Sequence, residues 1–193
     1  MLKLSKYSAW LKNKDIIRYS SNVLNNYKFS QDTVNILSNI GVPYKIEPFI
    51  WFLTPEEGGL EKLGDYYYSI SNEEKQEVIK EKQEYLNNLV ILAKSSGDAI
   101  CFNKNNQLVW IDYDDFEESF VNSSLEEFIK CIICFNDLVD DVYQKYNKKI
   151  HYYDFITKDD VLKLRKKLDN ICKSNLYKSD FWNIKLEFLE DNI

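Results

Sequence analysis

Residues 89–111 have the sequence LVILAKSSGDAICFNKNNQLVWI, and this stretch decides the fold class. It contains three apolar, β-prone runs: Leu89–Ala93, Ala99–Phe102 and Leu108–Ile111. Short gaps rich in Ser, Gly, Asp and Asn separate the runs, as between strands that hairpins connect. The pattern therefore predicts an antiparallel meander of three strands.

A long helix is predicted directly after this meander. Ser123 or Ser124 provides its N-cap, and Glu126 or Glu127 three residues later completes a capping box. Apolar residues then recur every three or four positions, which is typical of a helix with one buried face. We expect the helix and the meander to share one core, made of Ile100, Phe102, Val109, Ile111, Leu125, Phe128 and Ile132.

Helices are also predicted on either side of this region. Ser30 is a good N-cap for a helix that ends at Gly41. Another helix begins after Thr157, which has Asp160 three positions later, and residues 181–189 form a last helix. Helices therefore precede and follow the strands, which favours an α+β fold over alternating βαβ units.

The remaining segments are less regular. Residues 2–28 predict one or two helical segments. Pro48–Leu53 and Tyr66–Ile70 contain the aromatic and β-branched residues that are typical of strands. Asn72–Glu84 is strongly charged with few apolar residues, so it is either an exposed helix or a mobile loop.

The composition fits one folded domain. Hydrophobic residues make up 45% of the chain, and 5 Gly and 3 Pro are too few for a disordered protein. We predict a single domain over residues 1–193, with residues 1–28 as an N-terminal helical extension and residues 30–193 as the core.

The distribution of apolar residues and cysteines bears on location. No apolar run is longer than five residues, whereas about 20 are needed to span a bilayer. The first residues contain no uninterrupted apolar segment of signal-peptide length. The 4 cysteines lack a disulfide-like spacing, so reduced thiols are expected. We therefore expect a cytoplasmic protein without a membrane partner.

Acidic residues dominate the second half of the chain. The net charge is −6, and residues 105–144 contain ten acidic side chains against one basic side chain, Lys130. Such a surface repels phosphates, so we expect no nucleic-acid partner there. The basic residues within Lys163–Lys167 lie off the apolar stripe of their predicted helix, so they are interpreted as a solvated face rather than a nucleic-acid site.

The most unusual segment is Asp112-Tyr-Asp-Asp-Phe-Glu-Glu118. A calcium loop would have Gly at its sixth position, where this segment has Glu117. Two interpretations stay open: a solvated loop that favours the following helix, or a docking surface for a basic partner. In the second interpretation the partner-binding residues are Asp112, Tyr113, Asp114, Asp115, Phe116, Glu117 and Glu118, and the two aromatic rings supply a buried anchor. If this loop is not the docking surface, Trp51 and Tyr66–Tyr68 are the next candidates for the binding site.

Residues suited to catalysis are scarce. His151 is the only histidine, and it lies beside aromatic residues, where a structural role is more common than a Cys–His catalytic pair. Cys131 and Cys134 form a CxxC motif inside an apolar helix, so core packing is favoured over redox chemistry or zinc binding. The scattered glycines provide no phosphate-binding or dinucleotide loop. We therefore predict no catalytic residue, no metal and no cofactor.

Four consecutive segments resemble a known family. They are Leu89-Val-Ile-Leu-Ala93, Ser96-Gly-Asp-Ala-Ile-Cys-Phe102, Val109-Trp-Ile-Asp112 and Phe120-Val-Asn-Ser-Ser-Leu-Glu-Glu-Phe-Ile129. The series resembles the SUKH superfamily, which includes the Syd protein and fungal cell-wall assembly regulators. The resemblance is strongest over residues 86–135. It implies an antiparallel-rich mixed β-sheet flanked by α-helices, with the Ser-Leu-x-x-Phe helix packed against the sheet. The charged segment Asn72–Glu84 and the extended amino-terminal helix depart from the family pattern.

Members of this superfamily are often bacterial immunity proteins. The resemblance therefore implies a non-enzymatic protein that binds a cognate toxin, such as a nuclease-type polymorphic toxin, and covers its active surface. The first alternative is a regulatory adaptor of the same fold that binds a cellular protein. The second alternative is a hydrolase that uses the acidic loop, with or without a metal.

Overall fold

The computed structural model describes residues 4–46, 49–146, 152–173 and 175–193. Its helices are α1 (Leu4–Leu11), α2 (Ser21–Leu24), α3 (Gln31–Asn35), α4 (Leu63–Ile70), α5 (Glu73–Glu81), α6 (Gln83–Leu86), α7 (Leu125–Tyr146), α8 (Lys158–Ile171) and α9 (Asp180–Asp191). Its strands are β1 (Ile16–Ile17), β2 (Val42–Pro43), β3 (Lys45–Ile46), β4 (Ile50–Phe52), β5 (Val90–Ser95), β6 (Asp98–Phe102), β7 (Leu108–Ile111) and β8 (Glu118–Asn122). Short 3₁₀ turns cover Pro55–Glu57, Tyr152–Phe155 and Leu176–Lys178.

Strands β3 to β8 form one sheet in which neighbours in sequence are neighbours in space. All of these pairings are antiparallel, so the sheet of the described residues is antiparallel rather than mixed. The predicted meander is confirmed as β5, β6 and β7, with Cys101 opposite both Ile91 and Val109. The strand predicted at Pro48–Leu53 is present as β4, while Pro48 itself lies outside the described residues. The predicted α+β class is confirmed.

Both faces of this sheet are buried. Successive side chains of a strand point to opposite faces, so Ile100 and Phe102 face one way while Ala99 and Cys101 face the other. All four side chains are buried. We call the side of Ile100 and Phe102 the first face, and the side of Ala99 and Cys101 the second face.

The prediction of a single core is wrong for two of its residues. Val109 and Ile111 lie in a separate core on the second face, while the other five predicted members lie together on the first. The register explains this, because Val109 lies opposite Cys101 and Ile111 lies opposite Ala99. Continuous apolar runs, such as those of β5 and β6, are typical of strands that are covered on both sides.

Helix α7 covers the first face with its 22 residues. Both predicted caps take part at its start, because the Glu127 N–H donates to Ser124 Oγ at 3.2 Å and the Ser123 N–H donates to Glu127 Oε2 at 3.2 Å. Helix α8 begins at the predicted capping box of Thr157 and Asp160. Helix α9 is the predicted last helix and belongs to the same core.

The amino-terminal part also packs on the first face. The helix predicted from Ser30 is confirmed as α3, and it continues as a π-helical turn over Ile36–Ile40. Residues 4–28 contain helices α1 and α2, as predicted, with strand β1 between them. Strand β1 has no sequence signal, because its two residues are too few for a periodic pattern.

Two tyrosines tie this part to the rest of the fold. The buried hydroxyl of Tyr7 donates to the Gly41 carbonyl oxygen at 2.8 Å, and that of Tyr19 donates to the Leu53 carbonyl oxygen. Gly41 has φ +93°, and a Cβ there would lie 2.2 Å from a side-chain carbon of Ile16. Glycine is therefore required where β1 crosses the end of the α3 helix.

The layer on the second face corrects another prediction. Tyr66–Ile70, predicted as a strand, is the main part of helix α4. Leu63, Tyr66 and Tyr67 are buried, and their spacings of three and four residues place them on one side of a helix. The β propensity of tyrosine depends on context, and here the packing against the sheet prevails.

Asn72–Glu84 was predicted to be either an exposed helix or a mobile loop, and the structure shows that it is helical. Asn72 Oδ1 accepts the Lys75 N–H at 2.9 Å and starts α5, and α6 follows after Lys82. Within α5 only Ile79 is buried. The segment is therefore an exposed helix that one side chain attaches to the core.

Candidate functional site

The acidic segment Asp112–Glu118 is the loop between β7 and β8, together with the first residue of β8. Two of its carboxylates each use one oxygen to accept backbone hydrogen bonds that bend the loop. Asp112 Oδ1 accepts the N–H groups of Asp114 and Asp115, at 2.6 and 3.2 Å. Asp115 Oδ1 accepts the Glu117 N–H at 2.8 Å. Such side-chain-to-backbone bonds are how aspartate stabilises turns.

Phe116 is the apolar anchor of this loop. Its side chain is only 3% exposed, and its ring centroid lies 5.9 Å from that of Tyr67 on helix α4. Its φ of 63° is uncommon for a residue with a bulky side chain. The ring therefore holds the loop against the second face, and it is not exposed for a partner in this arrangement.

Two lysines of the α5–α6 segment hold the loop from outside. Lys75 Nζ donates to the Asp114 carbonyl oxygen at 2.6 Å, and Lys82 Nζ donates to the Asp115 carbonyl oxygen at 2.8 Å. The same two ammonium groups lie 4.4 and 5.4 Å from the ring centroid of Phe116. The lysines therefore bind backbone carbonyls and an aromatic ring.

The ends of the loop are also fixed. Tyr113 donates its N–H to Asp98 Oδ1 at 3.1 Å, and its hydroxyl lies 2.6 Å from Ser71 Oγ. Tyr85 donates its hydroxyl to Glu118 Oε2 at 2.8 Å, and burial, followed by this bond, raises the pKa of Tyr85. Tyr113 is half-buried.

The loop therefore presents a defined set of carboxylates. Asp114, Asp115 and Glu117 are exposed, while Asp112 is half-buried. The seven predicted site residues lie together in this loop, with Phe116 as its buried member. The docking role of this surface stays a prediction.

Sequence reasoning missed Lys75 and Lys82 as parts of this site. Their contacts join residues that are 39 and 33 positions apart, which no local pattern reveals. One signal was available, because the two lysines are seven residues apart, a spacing of about two helical turns. In the other proposed surface Tyr66 and Tyr67 are buried and Trp51 is half-buried, while Tyr68 is exposed.

The CxxC motif and the basic cluster of helix α8 each contain a residue whose contacts support a structural role. Cys131 is buried, as core packing requires, and its Sγ lies 3.7 Å from that of Cys172, a pairing without any sequence signal. The contact with Cys172, together with burial, raises the pKa of the Cys131 thiol. Lys163 pairs with Asp159 at 2.5 Å, which fits a solvated helix face.

Metal ligation and membrane insertion find no support in the described ranges. No three His, Cys, Asp or Glu side chains converge there so that they could hold a metal ion. No helix in the same ranges is long and apolar enough to cross a membrane. His151, the residue considered for a Cys–His pair, lies outside the described residues.

Comparison with known proteins leaves the family open. No protein-family profile, no curated protein and no solved structure matches the chain. The resemblance to the SUKH superfamily therefore stays a hypothesis that rests on the sequence segments themselves.

Proposed function

We propose that this chain is a non-enzymatic binding protein of the bacterial immunity type, which neutralises a cognate toxin by covering its active surface. The acidic loop is the observation that carries the proposal. Asp114, Asp115 and Glu117 are exposed while the loop backbone is held by internal hydrogen bonds and two lysines. A preformed loop loses little conformational entropy on binding, which favours affinity. The resemblance to the SUKH superfamily supports the immunity role.

The chemistry of the loop suits a basic partner. Lys75 and Lys82 donate to carbonyl oxygens, so the outward carboxylate oxygens stay available to a partner. Toxins that act on nucleic acids have basic clefts, because such clefts bind phosphates. Attraction between a carboxylate surface and a basic cleft raises the association rate, and added salt weakens it.

A charge-matched pair of variants tests this proposal against the product of the adjacent gene, taken as the candidate toxin. Asp114→Asn/Asp115→Asn/Glu117→Gln changes the loop. Its control, with the same change of net charge from −6 to −3, alters exposed acids elsewhere: Asp140→Asn, Asp141→Asn and Glu187→Gln. We expect the loop variant to slow association about tenfold at low salt and the control to have a much smaller effect.

The readouts are association kinetics at two salt concentrations, melting curves, and survival of cells that express the toxin domain. Equal slowing by both variants would mean that only the net charge matters and that the loop is not the interface. Failure of the unmodified chain to bind or protect would reject the immunity role. Capture of a cellular protein through the same loop would instead favour the regulatory adaptor.

A further inference from the structure

A cleft of about 330 Å³ lies between helices α7 and α9 and the 3₁₀ turn Tyr152–Phe155. Two edge-to-face ring pairs form its walls. The centroids of Phe49 and Phe135 are 4.9 Å apart, and those of Tyr153 and Phe188 are 5.5 Å apart. At the rim, Ile184 and Phe188 are 44% and 45% exposed, which is unusual for large apolar side chains close to each other. The cleft shares no lining residue with the acidic loop.

Lys185 places one positive charge in this aromatic cleft. Its Nζ lies 4.9 Å from the ring centroid of Phe49 and 5.4 Å from that of Phe181. No carboxylate of the described residues forms an ion pair with it within 4.0 Å. Burial lowers the pKa of Lys185, and the more distant charge of Asp98 offsets this only in part. The aromatic faces therefore stabilise a half-buried ammonium group that has no ion-pair partner among the described residues.

We propose that this cleft binds a small amphipathic monocarboxylate, with an aromatic or aliphatic body between the ring pairs and the carboxylate on the Lys185 ammonium. The volume lies at the lower end of the range for ligand pockets, about 300–1,000 Å³, so the ligand is small. The ring walls select an apolar body. The ammonium selects a negative charge, because a ligand carboxylate supplies the counter-ion that none of the described residues provides.

A series of ligands with one common body tests the role of the charge. The probe is 3-phenylpropanoate, and its analogues are 3-phenylpropan-1-ol and 3-phenylpropylamine. Acetate tests the carboxylate without the ring. Calorimetric titration is expected to show saturable one-to-one binding of the carboxylate. The alcohol and amine are expected to bind about tenfold more weakly or worse, as for the loss of one charged hydrogen bond, and acetate is expected not to saturate.

Matched lysine variants tie the binding to this cleft. Lys185→Met keeps an apolar stem and removes the ammonium, so it is expected to weaken 3-phenylpropanoate about tenfold while the affinity for the alcohol is unchanged. The control is Lys178→Met, because Lys178 also lies beside an aromatic ring, that of Tyr177 at 5.6 Å, but outside the cleft. Phe188→Ser removes part of the wall and is expected to weaken both ligands. Melting curves confirm that each variant is folded.

Three results would overturn the proposal. They are the absence of saturable binding to the unmodified protein, equal affinity for the carboxylate and the alcohol, and an affinity that neither Lys185→Met nor Phe188→Ser reduces. The proposal goes beyond the toxin-binding role and is separable from it. Lys185→Met is expected to leave toxin binding intact, whereas the loop variant is expected to leave 3-phenylpropanoate binding intact.

Discussion

The two faces of the sheet are covered by layers of different kinds. The first face carries the 22-residue helix α7 together with α8, α9 and the amino-terminal segment, and its core contains large rings such as Phe128 and Trp182. The second face carries the shorter helices α4, α5 and α6, and α5 contributes only Ile79 to the core. The acidic loop is attached to this second layer. A layer with few buried contacts opens at a smaller cost in free energy, so we expect the candidate binding surface to lie on the less stable side of the molecule.

The largest loss of stability is expected on the first face. Phe128 is fully buried, and its ring centroid lies 6.0 Å from that of Trp182. Phe128→Ala is expected to lower the free energy of unfolding by about 3–5 kcal/mol, because a cavity remains. Denaturant melts measure this loss. Tyr177→Ala is the control, because its ring is 72% exposed and its removal is expected to change stability by less than about 0.5 kcal/mol. A loss below about 1 kcal/mol for Phe128→Ala would contradict the packing of α7.

The corresponding change on the second face sharpens the comparison. Phe116→Ala removes the ring that Tyr67, Lys75 and Lys82 contact. We expect a loss near the lower end of the range for buried rings, about 3 kcal/mol, because the thin layer can relax around the gap. Hydrogen exchange is the decisive measurement. Amides of α5 and the acidic loop are expected to exchange faster while those of α7 keep their protection. Equal acceleration in α7 would show that both faces open as one unit.

Sequence reasoning succeeded where a pattern repeats within one element. Strands β5 to β7 and helix α7 have long apolar patterns, and the caps at Ser124 and Thr157 are local signals. It failed for helix α4, because the run Tyr66–Tyr68 is typical of a strand. The helical spacing of its buried residues is apparent only when Leu63 is included. It also placed Val109 on the wrong face, although an unbroken apolar run already indicates a strand covered on both sides.

The candidate site could be predicted only in part, because some of its contacts join segments that are far apart in the sequence. Its carboxylates are adjacent in sequence, so composition alone revealed them. The contacts that hold the loop come from Lys75 and Lys82, and the anchor Phe116 points into a core that forms only when α4 packs on the sheet. Contacts between distant segments depend on the finished fold, which no local pattern specifies.

Substitution of the cysteines in the core of the first face is expected to cause a smaller loss of stability. Cys131 is buried beside Asn122 and Cys172, whereas Cys134 is only half-buried. Cys131→Ser is expected to cost about 1–3 kcal/mol, because a hydroxyl is harder to desolvate than a thiol, and Cys134→Ser is expected to cost less. Neither change is expected to alter partner binding. Denaturant melts and a metal assay check this, and stoichiometric zinc in protein purified without added metal would contradict the role in packing.

The smallest effect concerns Asp98, which connects the two regions. It accepts the N–H of Tyr113 in the acidic loop, and its charge acts on Lys185 of helix α9. Burial raises the pKa of Asp98 above its ordinary value of 3.8, and the bond from Tyr113 offsets only part of this. A carboxyl group whose pKa is raised by folding binds its proton more tightly in the folded chain. Its ionised form therefore destabilises the fold above the raised pKa, and this destabilisation is lost as the pH falls towards 3.8.

Asp98→Asn is therefore expected to stabilise the protein slightly at neutral pH. Asparagine keeps an oxygen that can accept the Tyr113 N–H, and it removes the ionised form. The gain is expected to stay below about 0.5 kcal/mol, because Asp98 is only half-buried and solvent screens its interactions. Denaturant melts of both proteins between about pH 4 and pH 7 measure the difference, which should shrink as the pH falls. A variant less stable than the unmodified protein at pH 7 would mean that the Asp98 charge supports the fold, through Lys185 or the loop. Electrostatic interactions through Asp98 would then couple the acidic loop to Lys185. The first and second faces could no longer be treated as independent at this residue.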